Sequence, residues 1–217
     1  MINEDKLETL QEEGRIADAT SKLIHPDSKL WNIIQREINN PRLIFQDAKV
    51  DQPWENAPKN IYDPMRISQI SWIDNFDLKK EILSDICEYN SMVGSWNYDL
   101  DGMENIQYGI YPVGGHYDWH VDEFSTPLKY EYVESEYNKT LQRKISFTIF
   151  LNDPHEYEGG ELDIEMEGPR QKPRYKEYKL PKATFLIFRS CLWHRVRPVT
   201  SGVRKSLVGW IMGPPFR

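Results

Sequence analysis

The stretch Gly109-Ile-Tyr111-Pro-Val-Gly114-Gly-His116-Tyr117-Asp118-Trp-His120-Val-Asp122 decides how the rest of the chain is read. It joins two strand-like segments, Ile106 to Tyr111, whose end it includes, and Tyr117 to Val121, with Pro112, Gly114 and Gly115 between them. Residues i and i+2 of a strand point to one face, so His120 and Asp122 bring an imidazole and a carboxylate together. Those are two members of the two-histidine, one-carboxylate set that holds non-haem Fe(II) and leaves coordination positions open. His116 and Asp118 make the same pair one alternation upstream, and a polar, solvated strand face would carry the pattern equally well. Spacing alone leaves that choice open.

Working outward, the segments Lys144 to Leu151, Glu161 to Glu165, Ala183 to Phe188, Arg195 to Val199 and Ser206 to Ile211 also read as strands. So many short strands punctuated by Gly, Pro, Asn and Asp indicate a sandwich or barrel. The polar interval Glu123 to Arg143 is long for a connection within a compact domain and reads as a lid or as an ordinary insertion. A third metal ligand would have to come from another strand, and His194 is the best placed histidine. Arg204, entering the last strand, offers a planar fork of donors suited to a carboxylate. His25 and His155 have no comparable context.

Before Trp96 the pattern is mixed. Leu7, Leu10, Ile16 and Leu23 form a sparse apolar stripe on a helix or two short turns between Asn3 and Lys22. Leu30, Trp31, Ile33, Ile34 and Ile38 fit an amphipathic helix capped from His25-Pro-Asp-Ser28, and Leu78, Ile82, Leu83, Ile86 and Tyr89 fit another capped from Asp74, Asn75 or Asp77. Arg42 to Ala48 and Met65 to Ile73 read as extended.

The chain has 217 residues, 39% apolar and 28% charged, enough for a substantial core in one domain. A net charge of -7 supplies no general footprint for nucleic acid. Two cysteines, Cys87 and Cys191, form no CxxC, so a metal here would be held by His and carboxylate. The apolar runs fall short of the roughly 20 residues of a membrane span, and the acidic opening MINEDKL lacks the basic start of a signal peptide. The expectation is a soluble, cytoplasmic protein with no membrane association. The aromatic share of 12% suits walled pockets or β-sheet cores.

Taken together, Tyr111-x-x-Gly114-x-x-Tyr117-x-x-His120-x-Asp122, Leu151-Asn-Asp-Pro154, Gly159-Gly-Glu-Leu162, and His194 with Arg204, Ser206 and Trp210 resemble the prolyl 4-hydroxylase-like branch of the Fe(II)/2-oxoglutarate dioxygenases. The similarity covers about the C-terminal half and is greatest to bacterial and phage members. It implies a mainly β protein with flanking helices, a double-stranded β-helix or jelly roll supported by N-terminal α-helices. The expected organisation is one oxygenase domain over 1–217, with 1–100 as support and 101–217 as the core carrying the iron site. The resemblance selects His120, Asp122 and His194 as metal ligands, leaving His116 and Asp118 as strand-entry residues. It places Arg204 and Tyr111 on the distal carboxylate of 2-oxoglutarate, Ser206 and Trp210 beside the cosubstrate, and Tyr117 and Trp210 against substrate. Many relatives have Lys where this chain has Arg204, and some have Thr where it has Leu162, so a polar contact from that position is lost. The implied reaction uses Fe(II), 2-oxoglutarate and O2, with ascorbate (vitamin C) as reductant, and hydroxylates a proline-containing peptide or protein with release of succinate and carbon dioxide. The same chemistry on another peptidyl residue or a small molecule, and a non-catalytic jelly-roll binding protein, are the competing readings. A nucleic-acid demethylase of the same superfamily is disfavoured by the charge. Oligomeric state is left open.

Overall fold

The computed structural model describes residues 19–48, 65–93, 96–123, 128–129, 140–165 and 174–215. In chain order these form β1 (Ala19–Leu23), α1 (Lys29–Ile38), β2 (Gln46–Asp47), β3 (Arg66–Ile67), β4 (Gln69–Ile73) and α2 (Phe76–Glu88). After a π turn at Tyr89–Val93 come β5 (Gly102–Met103), β6 (Ile106–Tyr111), β7 (His116–His120), β8 (Leu128–Lys129) and β9 (Thr140–Phe150). Then follow β10 (Tyr157–Gly159), β11 (Leu162–Glu165), β12 (Tyr175–Tyr178), β13 (Thr184–Arg189), β14 (His194–Val196), β15 (Val199–Gly202) and β16 (Arg204–Gly213).

Among the described residues, nine strands make one sheet in the order β1-β13-β9-β16-β6-β4-β2, with β5 on β16 and β8 on β9. Five more make a facing sheet, β12-β11-β14-β7-β3, and β10 pairs with β15. Among the described residues the strand pairings within the two main sheets are antiparallel, with register shifts between His194 and Val196 and between Ile211 and Met212. This is the expected jelly roll.

The two helices form where the sequence caps them. Ser28 Oγ accepts from Trp31 N at 3.1 Å, and Asn75 Oδ1 accepts from Leu78 N at 2.9 Å; each such cap contributes about 1 kcal/mol. Leu30, Ile33 and Ile34 of α1 and Leu78, Ile82 and Ile86 of α2 are buried against Ile106, Ile145, Phe147, Ile149, Leu207 and Ile211 of the large sheet. Full burial of such side chains is worth about 1.5–3 kcal/mol each, and it anchors the back of the sheet.

Three expectations need correction. Ala19 to Lys22 do not continue a helix: Ala19–Leu23 pair residue for residue with Phe188 to Thr184, because the edge of β13 offers a full ladder of backbone partners. The remainder of that expected helix, up to residue 18, lies outside the described residues. Arg195 to Val199 is not one strand. Pro198, which has no N–H to donate, falls at the break, and β14 stays in the small sheet while β15 pairs with β10. Finally, Thr140 to Arg143 belong to β9 rather than to a loop, with Leu128 and Lys129 paired to Leu141 and Thr140. Residues 124–127 and 130–139, on which the lid reading rests, lie outside the described residues.

The Gly159-Gly160 pair turns β10 into β11 with φ of +69° and +64°. A Cβ on Gly160 would meet Arg204 Cδ at 3.0 Å, so the glycine lets the turn close against the Arg204 stem.

Candidate active site

The small sheet brings the two predicted histidines face to face. His194 on β14 is the direct cross-strand partner of His120 on β7, and their ring centroids are 4.1 Å apart. Asp122 lies just beyond the end of β7, where its N–H donates to Ser190 O at 3.1 Å. Its Oδ1 is 3.9 Å from His120 Nε2 and its Oδ2 is 3.3 Å from His194 Nε2. One ligand atom from each of the three residues lies within 4.8 Å of the others, and all three side chains are buried. Among the described residues this is the one cluster of three such groups.

Each group is oriented by a further contact. His120 Nδ1 donates to Asp118 O at 2.7 Å and His194 Nδ1 to Leu192 O at 2.9 Å, which aims both Nε2 lone pairs at the cluster. Ser146 Oγ donates to Asp122 Oδ2 at 2.7 Å and lies 2.8 Å from Ser190 Oγ. Tyr117 stacks on His120 with centroids 3.5 Å apart, and Phe188 meets His194 edge-on at 4.9 Å.

The electrostatics follow from this packing. Burial, and then the neighbouring His194, push the His120 imidazole down to about 3, so it is neutral and able to donate a lone pair. Burial alone would raise Asp122, but His194, His120 and Arg143 outweigh it and hold the carboxyl well below the usual range. Burial opposes protonation of His194, while the charge and hydrogen bond of Asp122 raise it overall. Burial also pushes the Tyr117 hydroxyl up to about 12.

The same cavity runs from this cluster to Arg204, past Tyr111, Thr148, Leu162, Val196, Val208 and Trp210. Arg204 is only 2% exposed. Its Nη1 donates to Ser206 Oγ at 3.0 Å, its Nε has no partner, and among the described residues no carboxylate pairs with it. Tyr111 is its partner across β6 and β16, with the ring centroid 5.1 Å from the guanidinium carbon. A buried guanidinium without a counter-charge is costly unless an anion joins it.

The site residues expected from sequence therefore converge: His120, Asp122, His194, Arg204, Tyr111, Tyr117 and Trp210 line one cavity, and Ser206 reaches it through Arg204. His116 and Asp118 turn away, His116 Nδ1 onto Gly114 O at 2.9 Å and Asp118 Oδ1 onto Trp119 N at 2.7 Å. Leu162 lines the cavity without a polar contact to offer, and the Thr148 hydroxyl, buried and unpartnered, faces it from β9. Sequence reading missed Thr148, Ser146, Ser190, Gln107 and Arg66. The signal for Ser146 and Thr148 was present, as polar residues alternating with Ile145, Phe147 and Ile149 on a strand with two buried faces.

Residues 106–212 match a family model described as the 2OG-Fe(II) oxygenase superfamily. A PKHD-type hydroxylase of Prochlorococcus marinus is 32% identical over 194 residues, covering 88% of this chain and 76% of that relative. The chain belongs to the 2OG-Fe(II) oxygenase superfamily. Other PKHD-type hydroxylases match over only 28–37% of their own length. The oxygenase shares its fold with a Pseudomonas putida prolyl-4-hydroxylase at TM-score 0.60 and 18% identity, covering 94% of this chain and 97% of that one. It is equally similar, at TM-score 0.60 and 17% identity over 96% and 90% of the two chains, to a Trichoplax adhaerens prolyl hydroxylase in complex with a hypoxia inducible factor oxygen degradation domain peptide fragment.

Membership implies Fe(II), 2-oxoglutarate and O2, and the residues present fit them. The two-imidazole, one-carboxylate donor set suits Fe(II), and the orphaned Arg204 Nε in the same cavity suits the far carboxylate of a dicarboxylic acid. No helix among the described residues of this oxygenase is long and apolar enough to cross a membrane.

Proposed function

We propose that this oxygenase uses Fe(II), 2-oxoglutarate and O2 to hydroxylate a prolyl residue in a peptide or protein, releasing succinate and carbon dioxide. The observation that carries the reading is a buried His120-Asp122-His194 cluster sharing one cavity with a buried guanidinium, Arg204, that pairs with no carboxylate among the described residues. The names of the PKHD-type relatives and of the prolyl hydroxylase structures support the choice of proline, and the peptide-bound Trichoplax protein supports a peptide substrate.

In this reading His120 Nε2, His194 Nε2 and a carboxylate oxygen of Asp122 hold the iron, and Arg204, with Ser206 and Tyr111, takes the distal carboxylate of 2-oxoglutarate. When bound, iron and 2-oxoglutarate would activate O2, which supplies the oxidising power needed to break an unactivated C–H bond. The chain contributes binding, orientation and dryness. The two Nδ1–H groups, each committed to a carbonyl, keep the imidazoles in one tautomer. Ser146, itself hydrogen-bonded to Ser190, holds one oxygen of Asp122 so that the carboxylate cannot rotate freely. Leu162, Val196 and Phe188 wall the cavity against water. Tyr117, neutral at physiological pH, and Trp210 form the aromatic part of the wall against which a prolyl ring would pack. Ascorbate serves as reductant, the acidic chain has no nucleic-acid partner, and the cytoplasm is the site of action.

The test is mass spectrometry of a panel of proline-containing peptides after incubation with the protein, Fe(II), ascorbate and 2-oxoglutarate, with His120→Ala as control. One oxygen added to proline by the wild type alone is the expected result. Succinate formed with no modified proline would move the substrate to another residue or to a small molecule, and no succinate at all would contradict the oxygenase reading of this site.

A further inference from the structure

Arg204 is not the only guanidinium in the cavity. Arg66, on the edge strand β3 of the small sheet, also lines it. Its guanidinium carbon lies 4.7 Å from the Tyr117 ring centroid, and that ring is stacked on His120, so the charge sits one ring away from the metal cluster. Two neutral acceptors fix its geometry. Nε donates to Ser68 Oγ at 2.8 Å and Nη2 to Gln107 Oε1 at 2.7 Å, the second bond joining the two sheets across the cavity.

What Arg66 lacks is an anion. Among the described residues no carboxylate lies within ion-pairing distance of it, whereas Arg143, the other guanidinium near the aromatic wall, is neutralised by a bidentate pair with Glu104 at 2.7 and 2.8 Å. Arg143 stacks on Trp210 at 3.9 Å with its charge already compensated. Among the described residues, the cavity of this chain of net charge -7 thus contains two guanidiniums with no carboxylate partner, Arg204 and Arg66. One molecule of 2-oxoglutarate, with its distal carboxylate on Arg204, accounts for one of them.

We propose that Arg66 is a specificity-determining residue that binds an acidic side chain close to the acceptor residue, so that the preferred substrate is an acidic peptide. The inference rests on the oxygenase reading above and specifies its substrate class. Ser68 and Gln107 use one N–H each of five, which leaves an Nη1 group and the second Nη2 proton for a carboxylate. Stacking on Tyr117 and the two acceptors pre-orders the fork, so little side-chain entropy is lost when the anion arrives. An uncharged substrate would leave this charge unpaired in a cavity closed by the peptide itself.

The experiment compares matched peptides carrying Asp or Asn at each of the two positions on either side of proline, with free-acid and amidated C-termini. Binding is measured by anaerobic calorimetry with Fe(II) and 2-oxoglutarate present, and turnover by mass spectrometry, in wild type, Arg66→Gln and Arg66→Lys. A charge-assisted hydrogen bond predicts an Asp-over-Asn preference of roughly tenfold or more at one position in the wild type. It should fall to about twofold or less in Arg66→Gln and survive in part in Arg66→Lys. A structural bridge alone would change affinity for Asp and Asn peptides equally. An equal or absent affinity for the acidic peptides, a preference that persists in Arg66→Gln, or one that follows only the free C-terminus would overturn the inference. Acid-dependent binding without hydroxylated proline would keep the subsite and reject proline as acceptor, while hydroxylation without acid preference would reject the subsite alone.

Discussion

Strands β9 and β16 each have two faces, and the contrast between them separates what holds this protein together from what it does. Toward the helices, β9 presents Ile145, Phe147 and Ile149 and β16 presents Leu207 and Ile211, all buried with the apolar stripes of α1 and α2. Gly209 belongs to the same side, where any side chain would collide with the Phe147 ring. Toward the small sheet the same strands present Ser146, Thr148, Arg204, Ser206, Val208 and Trp210. That face buries polar groups, and three of its features are incomplete without a guest: the Arg204 Nε, the Thr148 hydroxyl and the open side of the His-Asp-His cluster. The helix-backed face stabilises, and the cavity face spends some of that stability on a preorganised polar site.

If the division is real, substitutions on the two faces should have opposite signatures. The largest effect belongs to the cavity. Asp122→Ala should abolish iron-dependent turnover while circular dichroism and melting temperature stay close to wild type; undiminished activity would show the metal assignment to be wrong. On the other face, Ile149→Ala should cost about 2–5 kcal/mol of stability in denaturant unfolding, with iron affinity of the folded protein unchanged; a comparable loss of iron affinity would mean that the two faces are coupled rather than divided. Ser146→Ala sits between the two. It removes only the hydroxyl that fixes Asp122 Oδ2, so titration with Fe(II) should show affinity lowered roughly 10–100-fold, with Ser146→Thr recovering part of it. No change in iron affinity would reduce the Ser146-Ser190 pair to core packing.

The sequence made the fold legible where alternation and capping were strong, and least so where pairing overrode local pattern. The capping candidates in His25 to Ser28 and in Asp74, Asn75 and Asp77 marked the helix starts, where Ser28 and Asn75 are the residues that cap, and the strands at Ile106, Lys144, Ala183 and Ser206 were visible as short apolar segments. Ala19 to Leu23 carry no strand signal of their own, being an edge strand only partly buried and held by the backbone of β13. The break at Arg197-Pro198 lay hidden inside an apparently continuous segment. For the site, His120, Asp122, His194 and Arg204 emerged only because several motifs coincided in order, since His116-x-Asp118 is locally indistinguishable. Arg66 and Ser190 escaped notice because neither residue type is unusual in an exposed strand or turn; what makes them informative is the cavity they meet across distant segments.

The central claim is that the His-Asp-His cluster and Arg204 are two ends of one binding site. Anaerobic calorimetry of 2-oxoglutarate binding, with and without Fe(II), in wild type and Arg204→Ala tests it most directly. The account predicts tight binding only when Fe(II) is present, weakened about 10-fold to 100-fold in Arg204→Ala by loss of a charge-assisted hydrogen bond worth about 1.5–3 kcal/mol. Binding that is indifferent to Fe(II), or unchanged when Arg204 is removed, would contradict it.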